Sequence, residues 1–187
     1  MDFTLPPEHE ALRQQVRSFI AEEVVPLEAD PANYDAYENI RIDLLDSVRA
    51  KAKAAGLWAP QAPAERGGMG LPVTAWAFFY EEANRSIFGP AVLNCAAPDD
   101  GNMNVLAKIG TAAQQDWFLQ PIIDGAVRSS FAMTEPHPGS GSDPSMMLTT
   151  ATRTGDKYVI NGRKWYITGA GEAAHFILVA RTSDDPR

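Results

Sequence analysis

The stretch FAMTEPHPGSGSDPS, Phe131 to Ser145, and the stretch KWYITGAG, Lys164 to Gly171, hold the residues best suited to chemistry in this chain. In the first, a strand-like run ends in Thr134-Glu135-Pro136 and gives way to glycines, prolines and the hydroxyls of Ser140, Ser142 and Ser145. Small residues let backbone amides and hydroxyls approach a ligand closely. The same composition also suits an ordinary turn. In the second, Tyr166 and Thr168 stand two apart, and on a strand such residues face the same side. That pair could cover a flat ring and donate a hydrogen bond to its edge. Adjacent aromatics, here Trp165 and Tyr166, equally fit one core and one surface position.

Several complete motifs are excluded. Gly139-Ser140-Gly141 begins a G-x-G, but Pro144 stands where the dinucleotide fingerprint needs its third glycine, and no crossover helix follows. No G-x-S-x-G nucleophile elbow occurs. His9, His137 and His175 fall on a helix start, a loop and a strand start, with no pattern joining them to a serine, an aspartate or a metal. ERGGMG, Glu65 to Gly70, matches no whole phosphate motif and reads as a turn between helices.

The residues around these stretches bound the function classes. A formal net charge of −8 argues against general nucleic-acid binding, which rests on basic patches. It does not exclude an acidic cofactor, because local amides and a few cations outweigh net charge at a site. Cys95 is the single cysteine, so neither an intrachain disulfide nor a cysteine-based zinc site is available. The first residues show no basic region leading into an apolar core, and no apolar run reaches membrane-spanning length. The expectation is a cytoplasmic protein with no membrane span.

Two regimes position the candidate residues. Up to about residue 126 the apolar spacing is helical. Leu12, Val16, Phe19, Ile20, Val24 and Leu27 mark a helix from Pro7; Ile40, Leu44, Leu45 and Val48 mark another, ended by Gly56; Trp76, Phe79, Tyr80 and Ala83 mark a third after Pro72. A fourth is broken at Pro98, and Thr111 with Gln114 predicts a capping box for a fifth. Beyond Gly125 come VRSSFAMT, LTTATRT, KYVING, RKWYIT and HFILVART, five short β-type runs separated by glycine-containing turns. The expected class is α+β: an all-α domain over 1–126, then a partial antiparallel β domain over 127–187 whose sheet has an uncovered edge.

FAMTEPHPGSGSD followed by YVINGRKWYITG resembles the flavin-binding core of acyl-CoA dehydrogenases. YEEANRSIFGPAVLN leading into APDDGNMNVLAKIGTAAQQDWFLQPIIDG is similar to the helical first domain of the same family, so the resemblance spans nearly the whole chain. NCAAPDDGNM and FAMTEP are most similar to a long-chain branch that includes members with kinase-like fusions and their bacterial relatives.

The resemblance implies an FAD enzyme of fatty acid metabolism. It would convert an acyl-CoA to a trans-2-enoyl-CoA, a carboxylate taking the α-proton while the β-hydride goes to flavin N5. Electrons would then pass to an acceptor such as an electron-transfer flavoprotein. By this resemblance Phe131, Met133 and Thr134 lie against the flavin, and Gly141 and Ser142 contact cofactor, Ser142 also meeting the acyl-CoA. Tyr166 takes the place of a tryptophan over the ring, Ile167 lies beside it, and Thr168 supplies a hydroxyl at N5. There are two departures. The interval between TEP and GSD is two residues longer than in the commonest members, and the family's subunit is about twice as long, its glutamate base lying in a C-terminal bundle matched by nothing here. The expectation is therefore that these 187 residues alone are inactive, with no catalytic residue among them, and that they join a homo-oligomer or a complementing chain. Glu135 is the tempting substitute base, but beside Pro136 it is expected to fix the loop. The alternative is a non-catalytic assembly module of the same descent that has lost flavin binding.

Overall fold

The first amide of a helix has no intrahelical partner, so a proline there removes nothing, and Pro7 opens α1 (Pro7–Phe19). Glu8 and Glu10 in its first turn and Arg17 in its last complement the helix dipole. The computed structural model describes residues 4–183. Contacts divide them into two units, one through Gly125 and the other from Ala126. Among the described residues no helix is long and apolar enough to cross a membrane.

In the first unit Val16, Ile20 and Val24 recur every four residues and are fully buried. The last two lie in a π-helical turn, Ile20–Val24, which passes into a 3-10 turn, Val25–Ala29, at Pro26. α2 (Ile42–Ala54) buries Leu45, Val48 and Ala52. α3 (Val73–Ala83) buries Phe78 and Phe79, and also Glu82, which is 1% exposed. Arg17 of α1 grips that carboxylate at two points, Nε donating to Oε2 at 2.9 Å and Nη2 to Oε1 at 2.5 Å. A buried carboxylate is costly unless paired, and a two-point guanidinium contact offsets that cost.

The helical run is interrupted around Pro98, between α4 (Gly89–Val92) and α5 (Asp99–Ile109). Thr111 and Gln114 form both bonds of a capping box on α6 (Ala112–Gln114). A π-helical turn, Gln115–Leu119, then leads to α7 (Gln120–Ile123). Trp58 Nε1 donates to the Ile123 carbonyl at 2.7 Å and Asn94 Nδ2 to that of Ile122 at 2.9 Å, so two buried loop side chains hold the last helix of the unit.

The second unit contains β1 (Arg128–Ala132), β2 (Thr150–Thr154), β3 (Lys157–Asn161) and β4 (Ala173–Leu178). β2 and β3 are antiparallel, joined at Gly155-Asp156, with Gly155 at φ 66° supplying the left-handed turn. β1 pairs with β4 in parallel, from Ser129↔His175 to Ala132↔Leu178. The class is α+β as expected, but the wholly antiparallel β segment is corrected. The chain between β1 and β4 contains the whole hairpin, and this long connection returns it to the starting end before β4 begins. RKWYIT, the fourth of the five expected strands, is not a strand. β3 is exposed along its length, including Tyr158, Val159 and Ile160.

Candidate functional site

Past the end of β1, the next two backbone carbonyls are taken up by the second motif. Met133 O accepts from Lys164 Nζ at 2.8 Å, and Thr134 O accepts from the Trp165 amide at 3.1 Å. One turn of the pleat earlier, Ser130 Oγ donates to the Thr168 carbonyl at 2.8 Å. These bonds lay residues 164–168 along the end of β1. Phe131, Met133 and Thr134 are thereby gathered with Tyr166, Ile167 and Thr168 in one small region, although the two segments are some 31 residues apart in sequence.

The gathering does not come from strand alternation. Tyr166 adopts φ 50°, the left-handed region, where a bulky side chain crowds its own backbone. The expectation that Tyr166 and Thr168 project together from one strand face is corrected on that ground. What holds the unfavourable backbone is the pair of hydrogen bonds on either side of it, at Trp165 N and at Thr168 O. Despite the strain, the Tyr166 ring is 83% exposed, its centroid 4.7 Å from that of Trp165. Non-glycine strain of this kind concentrates at functional sites.

Glu135 organises the loop between the motifs. Oε1 accepts from the Thr149 amide at 2.7 Å and from Lys164 Nζ at 3.0 Å. Oε2 accepts from the Leu148 amide at 2.7 Å and the Ser140 amide at 3.2 Å. Its own amide donates to the Ser140 carbonyl at 2.6 Å. Gly139 sits so close that a Cβ there would lie 2.4 Å from Oε2, which explains the glycine. Burial works against the charged carboxylate, but Thr149, the Leu148 amide and the Lys164 ammonium outweigh it and hold the group well below the usual carboxylate range. A carboxylate so stabilised is a poor proton acceptor, and Glu135 acts as a loop anchor.

The remaining candidates fall into two sets. Phe131 is 39% exposed and Met133 and Thr134 are half-buried, at the end of β1. Ile167 is half-buried and Thr168 exposed beside them. Gly141 and Ser142, in the loop, are both exposed, and a Cβ at Gly141 would meet nothing within 4 Å. Just inside them the buried Ser140 hydroxyl donates to the Asp143 carbonyl at 2.9 Å, and Asp143 Oδ1 accepts from the Ser145 amide at 2.9 Å. The loop is therefore pinned within and open without. Sequence reasoning missed Lys164 and Ser130. The available signal for Lys164 was weak, a lone cation opening an aromatic run that could meet the lone acid of TEP.

Residues 6–126 match the model of the acyl-CoA dehydrogenase N-terminal domain, and residues 130–187 match that of the acyl-CoA dehydrogenase middle domain. "Probable acyl-CoA dehydrogenase FadE2" of Mycobacterium tuberculosis is 37% identical over all of this chain and 46% of its own length. Human "Acyl-CoA dehydrogenase family member 11" is 35% identical over 84% of this chain and 20% of its own length. The chain thus spans less than half the length of these relatives. The solved acyl-CoA dehydrogenase complexed with FAD from Bacillus anthracis superposes with a TM-score of 0.67 at 27% identity, covering 95% of this chain and 29% of that one.

Proposed function

Because the chain belongs to the acyl-CoA dehydrogenase family, we propose that the protein carrying it is an FAD-dependent acyl-CoA dehydrogenase that introduces a double bond between Cα and Cβ of an acyl-CoA thioester. The observation that carries this reading is the exposed Tyr166 ring on a backbone held at φ 50° by the hydrogen bonds on either side of it, Trp165 N to Thr134 O and Ser130 Oγ to Thr168 O. An aromatic face kept in an unfavourable conformation, beside half-buried Met133 and Thr134, fits the task of covering a flat apolar ring with polar edges.

Bound FAD supplies the electron acceptor for hydride leaving Cβ. The side chains of Phe131, Met133 and Ile167 offer the apolar contacts, and the hydroxyls of Thr134 and Thr168 offer donors for the ring edge. Gly141 and Ser142 offer a close backbone approach and a hydroxyl to cofactor and acyl-CoA at the open side of the loop. Stacking of the Tyr166 ring excludes water from the covered face, which strengthens every hydrogen bond made there. The proton acceptor for Cα–H is proposed to lie outside these 187 residues, since Glu135 is committed to its four donors. The final acceptor of electrons is proposed to be a separate redox protein of the electron-transfer flavoprotein kind, and the assembly a homo-oligomer.

The complete protein, purified and kept anaerobic, tests this directly. Flavin absorbance bleached by an acyl-CoA supports it. A colourless protein that FAD does not reconstitute removes it in favour of an assembly module.

A further inference from the structure

We infer that the buried Glu135–Lys164 pair is a positioning device that sets the distance between the loop of residues 140–149 and the aromatic segment of residues 164–168. The inference rests on the flavin reading above and assigns these two residues a part in it.

The side chains of Glu135 and Lys164 are only 2% and 10% exposed. An ammonium has three protons to donate, and Lys164 has three partners within 3.0 Å: Met133 O, Glu135 Oε1 and Met147 Sδ. Glu135 in turn accepts from the amides of Ser140, Leu148 and Thr149. Through two side chains, the end of β1, the loop at 140, the stretch at 147–149 leading into β2 and the start of the aromatic segment meet at fixed separations. Lys164 is followed at once by Trp165, whose amide is bound to Thr134 O, so a shift of the ammonium is passed directly to the residue before Tyr166.

Stability alone does not account for this arrangement. Replacing a buried ion pair with apolar side chains of similar volume is often neutral or stabilising. An apolar plug would fill the space but would not tie particular backbone atoms together. Only the ionic version forces Ser140 N, beside exposed Gly141 and Ser142, to keep register with Met133 O, beside Thr134. A flavin reached from both segments depends on that register, because small misplacement of a contact group costs heavily in recognition and rate.

The test uses the complete protein with both charges removed, Glu135→Gln with Lys164→Met, since losing one partner alone would leave a buried charge. The control is a second ion pair, Arg17→Met with Glu82→Gln in the helical unit, in which the carboxylate is buried and the guanidinium partly exposed. Thermal melting, FAD dissociation, the visible flavin spectrum and the split between kcat and KM are read for each. With the melt still cooperative, the Glu135/Lys164 double variant is expected to release FAD with a dissociation constant raised on the order of 10- to 100-fold and with displaced flavin bands. Lys164→Arg, which keeps the cation but not its three-way fit, should fall between that variant and the parent. The control should bind FAD as the parent does. FAD affinity and spectrum within about twofold of the parent in a folded double variant would overturn the inference, as would an equal loss in the control. If the double variant does not fold, Lys164→Arg decides: parent-like FAD binding overturns the inference, and weakened binding with a parent-like melt upholds it. A parent that takes up no FAD at all defeats the flavin reading itself, whatever the variants do.

Discussion

The hydroxyl of Ser130, fully buried within β1, donates to the carbonyl of Thr168 at 2.8 Å across 38 residues of sequence. Together with the Trp165 amide on Thr134 O, it brackets Tyr166 and makes the left-handed backbone there persist. A serine in the middle of a strand thus contributes to a site through the main chain of another segment.

Ser130→Ala removes this clamp while keeping the strand. The net loss for one such hydrogen bond is about 0.5–1.5 kcal/mol. Urea unfolding of the complete protein should show a decrease of that size, accompanied by faster FAD release because the exit of the aromatic segment is loosened. FAD release as slow as in the parent would mean that Tyr166 is held without Ser130.

Tyr166 separates backbone from ring. Tyr166→Gly relieves a strain of about 1–2 kcal/mol at φ 50° while adding the chain entropy of glycine, about 0.5–1 kcal/mol. Stability should therefore rise by no more than about 1.5 kcal/mol over the parent. Retention of FAD should nevertheless weaken by about 1–3 kcal/mol in both Tyr166→Gly and Tyr166→Ala, the scale of a lost aromatic contact. Tyr166→Trp should be tolerated. Equilibrium dialysis of FAD beside denaturant melts checks both halves, and unchanged FAD retention would move the ring contact elsewhere.

The Thr168 carbonyl accepts from Ser130, and its exposed side chain is the donor proposed for the flavin edge. Thr168→Val is nearly isosteric and leaves the carbonyl in place. Anaerobic stopped-flow reduction by acyl-CoA should be slowed by the equivalent of about 0.5–1.5 kcal/mol, with little change in stability. Equal reduction rates for variant and parent would remove the hydroxyl from the reaction.

Local pattern made the helices legible: the four-residue spacing of Val16, Ile20 and Val24, the break at Pro98 and the reciprocal cap of Thr111 and Gln114 all appear in the structure. The β2–β3 hairpin was equally legible, because its turn residues are adjacent to the strands they join. What was not legible is decided by distant partners. β1 finds β4 rather than a neighbour, and no local signal encodes that choice. RKWYIT has strand composition, yet its Trp165 amide is used by Thr134 and its Tyr166 turns left-handed, so tertiary bonding overrides β-propensity. The motif spelling drew attention to two segments that the structure brings together, whereas the buried lysine that couples them reads as an ordinary surface cation until its partners are known.

Acid provides the last test, through Glu135. Its carboxyl is held below the ordinary glutamate value of 4.5, burial being outweighed by Thr149, the Leu148 amide and Lys164. For a group whose folded-state pKa is depressed, the unfolded chain takes up the proton first as pH falls. The stabilisation is therefore complete above the unfolded value and is lost progressively as pH drops below about 4.5 towards the folded one. Glu135→Gln lacks this contribution and leaves Lys164 and three amides facing a neutral amide, which at neutral pH should cost about 3–5 kcal/mol. Other paired carboxylates, Glu82 among them, also weaken in acid, so the parent's own pH profile does not isolate Glu135. The difference between parent and Glu135→Gln does, because contributions common to both cancel. Denaturant unfolding of both from neutrality down to about pH 3 should show that difference constant above the glutamate range and narrowing below it. A difference that stays the same throughout would mean that the Glu135 charge does not hold the loop.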